Sequence, residues 1–109
     1  MNTLSLFDLH DKTVLITGSE SGIGLALAEG LAGAGAKIIL NGLSHEKLSK
    51  AENLLKNQGA SVSVLPFDVS KITEAKSAIE NYSKTKGSID ILVNNAGVLC
   101  MHRQLSPDG

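Results

Sequence analysis

Apolar residues fall in this chain as short blocks, separated by longer stretches in which they recur every third or fourth position. "TVLI" (Thr13 to Ile16), "KIIL" (Lys37 to Leu40) and "IDILV" (Ile89 to Val93) are brief runs rich in β-branched residues. Apolar continuity of this kind marks parallel strands covered on both faces. "SVSVLPF" (Ser61 to Phe67) alternates instead. Its Pro66 lacks the N–H that a central strand donates, so this segment is expected at a sheet edge.

The stretches between these blocks carry helical spacing. The first opens at Gly22 and places Ile23, Leu27 and Leu31 at i, i+4 and i+8, with mostly Ala and Gly elsewhere, which suits close approach to a sheet. The second has Ser44 as N-cap, Glu46 in the first turn, a stripe of Leu48, Ala51 and Leu55, and Gly59 past its end. The third has Ser70 as expected N-cap, a stripe through Ile72, Ala75 and Ile79, and Gly87 as its stop. The order βαβαβαβ predicts an α/β fold with a parallel sheet and right-handed crossovers. No repeat, low-complexity tract or linker divides residues 1–109, which read as part of a single domain.

Composition narrows the picture. Apolar residues make up 42% of the 109, but Phe7, Phe67 and Tyr82 are the only aromatics, so the core must be aliphatic and small. A net charge of -1 with no basic run argues against a nucleic-acid or anionic-membrane surface. The lone Cys100 excludes an intrachain disulfide and fits a reducing cytoplasm. "MNTLSLFDLHDKT" does not read as a signal peptide, and no apolar run approaches the roughly 20 residues of a membrane span. A soluble, cytoplasmic protein is expected. His10, His45 and His102 lack metal-ligand spacing, so no metal site is expected.

Two motifs carry candidate chemistry. "YSKTK" sets Tyr82 and Lys86 four residues apart, the spacing of a proton-transfer pair. Yet Tyr82 shares a helical face with Ala75 and Ile79, and Lys86 falls in the last turn, where the helix dipole favours a cation. The pair is therefore read as the end of an ordinary helix. "TGSESGIG" (Thr17 to Gly24) follows the first strand and opens the first helix. In that context Gly18 permits a tight turn, Gly22 lets backbone approach a pyrophosphate, and Gly24 lets the helix pack on the sheet, its N-terminal amides facing phosphate.

The spacing Gly-x-x-x-Gly-x-Gly, with "PFDV" and then "NNAG" (Asn94 to Gly97) after the fourth strand, resembles the short-chain dehydrogenase/reductase family. Within it, "LFDLHDKTVLITGS" and "GLALAEGLAGAGAKIILNG" look most like the gluconate 5-dehydrogenase group. The resemblance implies a Rossmann-like doubly wound parallel sheet, truncated after the fourth strand, and an NAD(P)-dependent interconversion of a secondary alcohol and a ketone. It implies that Gly18, Ser19, Ser21, Gly22, Ile23 and Gly24 line the cofactor phosphates and ribose. Asp68 would accept from the adenine amino group with Val69 beside the ring, and Asn94, Ala96 and Gly97 would edge the site. Asn94 and Asn95 would also tie the fourth strand to the first through Thr17.

The choice between NAD and NADP is left open by the residues. Gly42 and Leu43 stand where the family often places an acid or an arginine at the end of the second strand, and no acid occurs from Ala34 to His45. Ser21 stands where NADP-using relatives commonly carry arginine, and Glu20 would repel a 2′-phosphate if it points inward. His45 or Lys47 are substitute partners for such a phosphate. The family's catalytic Ser and its Tyr-x-x-x-Lys lie beyond "NNAG" and are absent from these residues, so no catalytic residue is assigned. A nicotinamide dinucleotide, a small alcohol or ketone, and a homo-oligomeric full-length enzyme are the partners the resemblance implies. The alternative is a truncated, non-catalytic nucleotide-binding fragment. A sheet stopping at Val93 would also leave an open apolar edge, with poor solubility or self-association expected of the isolated chain.

Overall fold

The computed structural model describes residues 8–95. Four strands, β1 (Thr13–Ile16), β2 (Lys37–Leu40), β3 (Val62–Val64) and β4 (Ile91–Val93), alternate with three helices, α1 (Gly22–Gly33), α2 (His45–Asn57) and α3 (Ile72–Thr85). All pairings are parallel and the sheet order is β3-β2-β1-β4. The central strands β1 and β2 run in register from Thr13↔Lys37 to Ile16↔Leu40. The parallel α/β sheet expected from the pattern is thus present, Rossmann-like as the resemblance implies, with β3 at an edge.

The pleat sorts the apolar runs into two cores. Val14, Ile16, Ile38 and Leu40 point to one face and join Ala28 of α1 with Leu48, Ala51 and Leu55 of α2. Leu15 and Ile39 point to the other face, where Phe67 and the half-buried Ala75, Ala78, Ile79 and Tyr82 of α3 cover them. Burial on both faces explains why β1 and β2 show no alternation. Strand ends differ from expectation: β3 stops at Val64, ahead of Pro66, and β4 begins at Ile91 rather than Ile89.

The second helix follows its sequence signals. The Ser44 hydroxyl accepts from the Lys47 N–H (3.2 Å), Glu46 lies in the first turn, and Gly59 follows the end with φ 86°. The first helix is rotated from its expected face, while the third keeps its Ala75–Ile79–Tyr82 face and differs only at its start. On α1, Ile23 and Leu27 are 76% and 40% exposed, whereas Gly24 and Ala28 are buried. The packed face is the Gly24–Ala28 line, a step of one residue and about 100° from the bulky stripe. Its cause is contact distance, because a Cβ on Gly24 would collide with the Gly18 carbonyl oxygen and lie 2.7 Å from Asn95 Nδ2 and 2.8 Å from the Ser19 Cα.

On α3 the N-cap is Lys71, not Ser70, and Ile72 is 79% exposed rather than part of the stripe. The reason lies just upstream. Asp68 Oδ1 accepts both the Ser70 N–H (2.9 Å) and the Ser70 hydroxyl (2.7 Å), so that hydroxyl is committed to an Asx turn instead of a cap. The Ala75–Ile79–Tyr82 face then meets the sheet, and Lys86 follows the helix as its C-cap. Along the outer edge of β4, Ile91 and Leu92 are 37% and 55% exposed.

The two departures separate measurably. Gly24→Ala is expected to lower stability by about 1–3 kcal/mol through overpacking, whereas Ile72→Ala should stay within about 0.5 kcal/mol. Urea unfolding reads both, and a Gly24→Ala midpoint equal to wild type would remove the close contact from the account.

Candidate functional site

The C-terminal ends of β1, β2 and β3 open onto a cavity of about 160 Å³ lined by Gly18, Glu20, Asn41, Gly42, Leu43, Phe67, Asp68 and Val69. In an open parallel sheet this end, beyond the strand carboxyl termini, is where ligands enter. The loop from Thr17 to Ser21 leaves β1 and turns directly into α1. Gly18 and Gly22 both have φ 60°, a left-handed backbone that glycine adopts without strain. Ser21 is the N-cap of α1 but its side chain makes no capping bond, so the first-turn amides have no partner within the helix.

Beneath the loop lies a buried polar knot. The Ser19 hydroxyl donates to the Ile16 carbonyl (2.7 Å) and accepts from the Asn41 N–H (3.0 Å). The Ser19 N–H donates in turn to the Asn41 carbonyl (2.8 Å). Asn41 Oδ1 accepts from the Gly18 N–H (3.1 Å), while its Nδ2 donates to the carbonyls of Leu65 (3.0 Å) and Phe67 (3.1 Å). Both side chains are buried, and each hydrogen-bonding group named has its partner. The knot holds the ends of β1 and β2 and the segment after β3 in one arrangement.

From the other side, β4 pins the same loop. The Thr17 N–H donates to the Val93 carbonyl (3.0 Å) and the Thr17 hydroxyl donates to Asn94 Oδ1 (3.2 Å). Asn95 Nδ2 donates to the Gly18 carbonyl (3.1 Å), the oxygen on which Gly24 packs. The tie between the fourth and first strands therefore runs through both asparagines, with Gly18 as a second anchor beside Thr17.

Of the residues singled out from the sequence, Gly18, Leu43, Asp68 and Val69 line the cavity together. Ser21, Gly22 and Ile23 are exposed at the mouth of α1, whereas Gly24 is buried behind the loop and Ser19 beneath it. Asn94 is exposed beside Thr17. Ala96 and Gly97, like Cys100 and His102, lie outside the described residues. Asn41 and Phe67 were not anticipated as part of the site, whereas Glu20 and Gly42, weighed for the choice between NAD and NADP, both line it. A polar residue directly after the uninterrupted "KIIL" was the available signal for Asn41.

Two acids face the cavity. Asp68 is held below the ordinary aspartate range, first by the Ser70 hydroxyl, then by the Ser70 N–H, with the Lys71 charge adding to both against slight desolvation. Its N–H donates to Glu74 Oε1 (3.1 Å), which fixes the turn entering α3. Glu20 Oε2 accepts from the N–H groups of Leu43 (3.0 Å) and Ser44 (3.2 Å). Tyr82 and Lys86 are elsewhere. They border a hollow with Lys37, Ser61 and Ser63, at the opposite end of the strands, the ammonium 6.0 Å from the ring centroid. Among the described residues no group of three His, Cys, Asp or Glu is placed to hold a metal ion, and no helix is long and apolar enough to cross a membrane.

Comparison with known proteins agrees with this geometry. The chain is 43% identical over 97 residues to 5-keto-D-gluconate 5-reductase of Escherichia coli K12, covering 89% of this chain and 38% of that protein. It is 44% identical over 90 residues to D-beta-hydroxybutyrate dehydrogenase of Cupriavidus necator, covering 83% of this chain and 35% of the relative. A solved gluconate 5-dehydrogenase from Burkholderia cenocepacia, in complex with NADP and tartrate, superposes with a TM-score of 0.79 at 42% identity over 88% of this chain and 38% of the other. The chain thus spans well under half the length of these relatives. The family described as short chain dehydrogenase matches residues 12–108, and the chain belongs to it.

Proposed function

We propose that residues 1–109 form the dinucleotide-binding part of a single Rossmann-type domain in an NAD(P)-dependent oxidoreductase, one that interconverts a secondary alcohol and a ketone on a sugar acid of the gluconate and 5-ketogluconate type. The observation that carries the reading is the coincidence of three things at one sheet end: a left-handed glycine loop, first-turn amides of α1 left uncapped by the Ser21 side chain, and a cavity reaching Asp68. The 5-keto-D-gluconate 5-reductase and the gluconate 5-dehydrogenase among the relatives support the substrate class, and the lone Cys100 supports a reducing cytoplasm as the place of work.

The fit of these residues to a dinucleotide is chemical as well as spatial. Amides at the start of α1 and the glycine backbone from Gly18 to Gly24 suit the negative pyrophosphate. Asp68, kept ionised, is an acceptor for an exocyclic amine, and Val69 and Leu43 offer apolar surface to a purine face. Asn94, Ala96 and Gly97 belong to the ribose side of this assignment. The bound nicotinamide supplies hydride chemistry at the carbon bearing hydroxyl or carbonyl. The described residues hold no proton-transfer pair at the cavity, so their work is to bind and orient.

Calorimetric titration of the protein as its own cell makes it, with NADH and NADPH, tests the binding role. Asp68→Ala should weaken binding of the preferred form by about tenfold, the worth of one charge-assisted hydrogen bond, and an unchanged affinity would remove Asp68 from the site. Turnover of gluconate or 5-ketogluconate separates the enzyme from a non-catalytic nucleotide binder. Tyr82→Phe should leave that turnover intact, and its loss in a folded variant would overturn the placement of Tyr82 in the core.

The charge state of Asp68 has a pH signature. Its folded value lies below its unfolded one, so the stability contributed by the turn is complete above about pH 4 and is lost as pH falls through the folded value. Ser70→Ala removes the largest cause and should flatten that acid limb. Coincident pH–stability curves for the two proteins would show that the turn does not depress Asp68.

A further inference from the structure

The turn after β2 contains no acid to read a ribose and no arginine to receive a phosphate, but the structure brings an acid to it from another segment. Glu20 leaves the glycine loop and crosses over Gly42, so closely that a Cβ on Gly42 would overlap its carboxylate. Oε2 is held by the amides of Leu43 and Ser44, which lead into α2, where a negative charge is favoured by the helix N-terminus. Oε1 has no hydrogen-bond partner among the described residues, and Glu20 lines the same cavity as Asp68 and Val69. Among the described residues, the titratable groups on that cavity wall are the two acids, and His45 and Lys47 are not part of it.

We infer that Glu20 is the specificity-determining residue for the adenosine ribose, and that it selects NAD over NADP. This rests on the dinucleotide reading above. Its fixed oxygen is satisfied by the two amides, which leaves Oε1 to accept from the ribose hydroxyls. A 2′-phosphate meets the opposite situation. The amides that could hold it are already committed to a carboxylate, and its charge faces an acid that no cation among the described residues of the wall offsets. Gly42 is part of the device, since any side chain there would displace the carboxylate. The inference separates this chain from the solved relative that carries NADP.

Two nucleotides differing by one group test it without catalysis: adenosine 5′-monophosphate and adenosine 2′,5′-bisphosphate, titrated calorimetrically against the protein as its own cell makes it. The wild type is expected to bind the monophosphate at least about tenfold more tightly, as a like-charge contact in a cleft implies. Glu20→Gln keeps an acceptor for the Leu43 and Ser44 amides and removes the charge, so the ratio should fall to near one. Glu20→Ala, which also frees the two amides, should turn it toward the bisphosphate. A wild type that favours the bisphosphate, or a folded Glu20→Gln protein with an unmoved ratio, overturns the inference while leaving the dinucleotide site in place. If neither nucleotide binds the wild type, both readings fall. The wild-type ratio decides the matter even where a variant does not fold.

Discussion

Everything at the functional end of this sheet depends on one buried side chain with a divided chemistry. Asn41 must accept from the Gly18 N–H and donate twice, to the Leu65 and Phe67 carbonyls. No other side chain of that size provides both. Aspartate would set lone pairs against two carbonyl oxygens, and leucine would leave all three backbone groups without partners, at about 1–3 kcal/mol each. The amide orientation is fixed by these partners, because an N–H and two carbonyls admit only one way round. With Ser19 closing the circuit to the Ile16 carbonyl, the first three crossings of the chain end in a single buried network. The glycine loop can be thin and rich in left-handed backbone because its rigidity is supplied from below.

The same division shows what could be read from the sequence. Strands buried on both faces were legible because "TVLI" and "KIIL" have no polar interruption, and α2 was legible because Ser44, Glu46, its leucine stripe and Gly59 act through neighbours a few residues away. The rotation of α1 was not legible. A periodicity reading follows bulky residues, whereas the contact is set by the smallest one, Gly24, against a backbone oxygen. Ser70 misled for a related reason: two segments compete for its hydroxyl, and the Asx turn at Asp68 wins over the helix. In the site, the glycine loop and Asp68 announce themselves through local spacing. Asn41 does not, since its side-chain partners lie 23, 24 and 26 residues away.

Structure and site share their parts closely here. The Gly18 carbonyl is at once the contact surface for Gly24 and the acceptor for Asn95, and the Gly18 N–H is held by Asn41. Glu20 belongs to the cavity wall and also links the loop to the entrance of α2. A residue in this region cannot be sorted into scaffold or ligand contact, because the positions that shape the cavity are those that close the polar network. Tyr82 and Lys86 make the contrast. They satisfy a local spacing rule, yet the fold puts them at the far end of the strands, where the ring serves as core and the ammonium as its neighbour.

The late position of β4 in the chain has a kinetic meaning. Gly18 finds Asn41 across 23 residues, but Thr17 finds Asn94 only across 77. Closing the longer loop costs about 1 kcal/mol more in chain entropy, and on a ribosome its partner emerges later. The units β1-α1-β2 and β2-α2-β3 can therefore assemble with their Asn41 knot before the fourth strand arrives. Until it does, the Thr17 hydroxyl and the Gly18 carbonyl lack their asparagine partners, and the loop is fixed on one side only. Order of synthesis thus becomes order of maturation: the first three strands can assemble early, and the glycine loop is tightened when the fourth arrives.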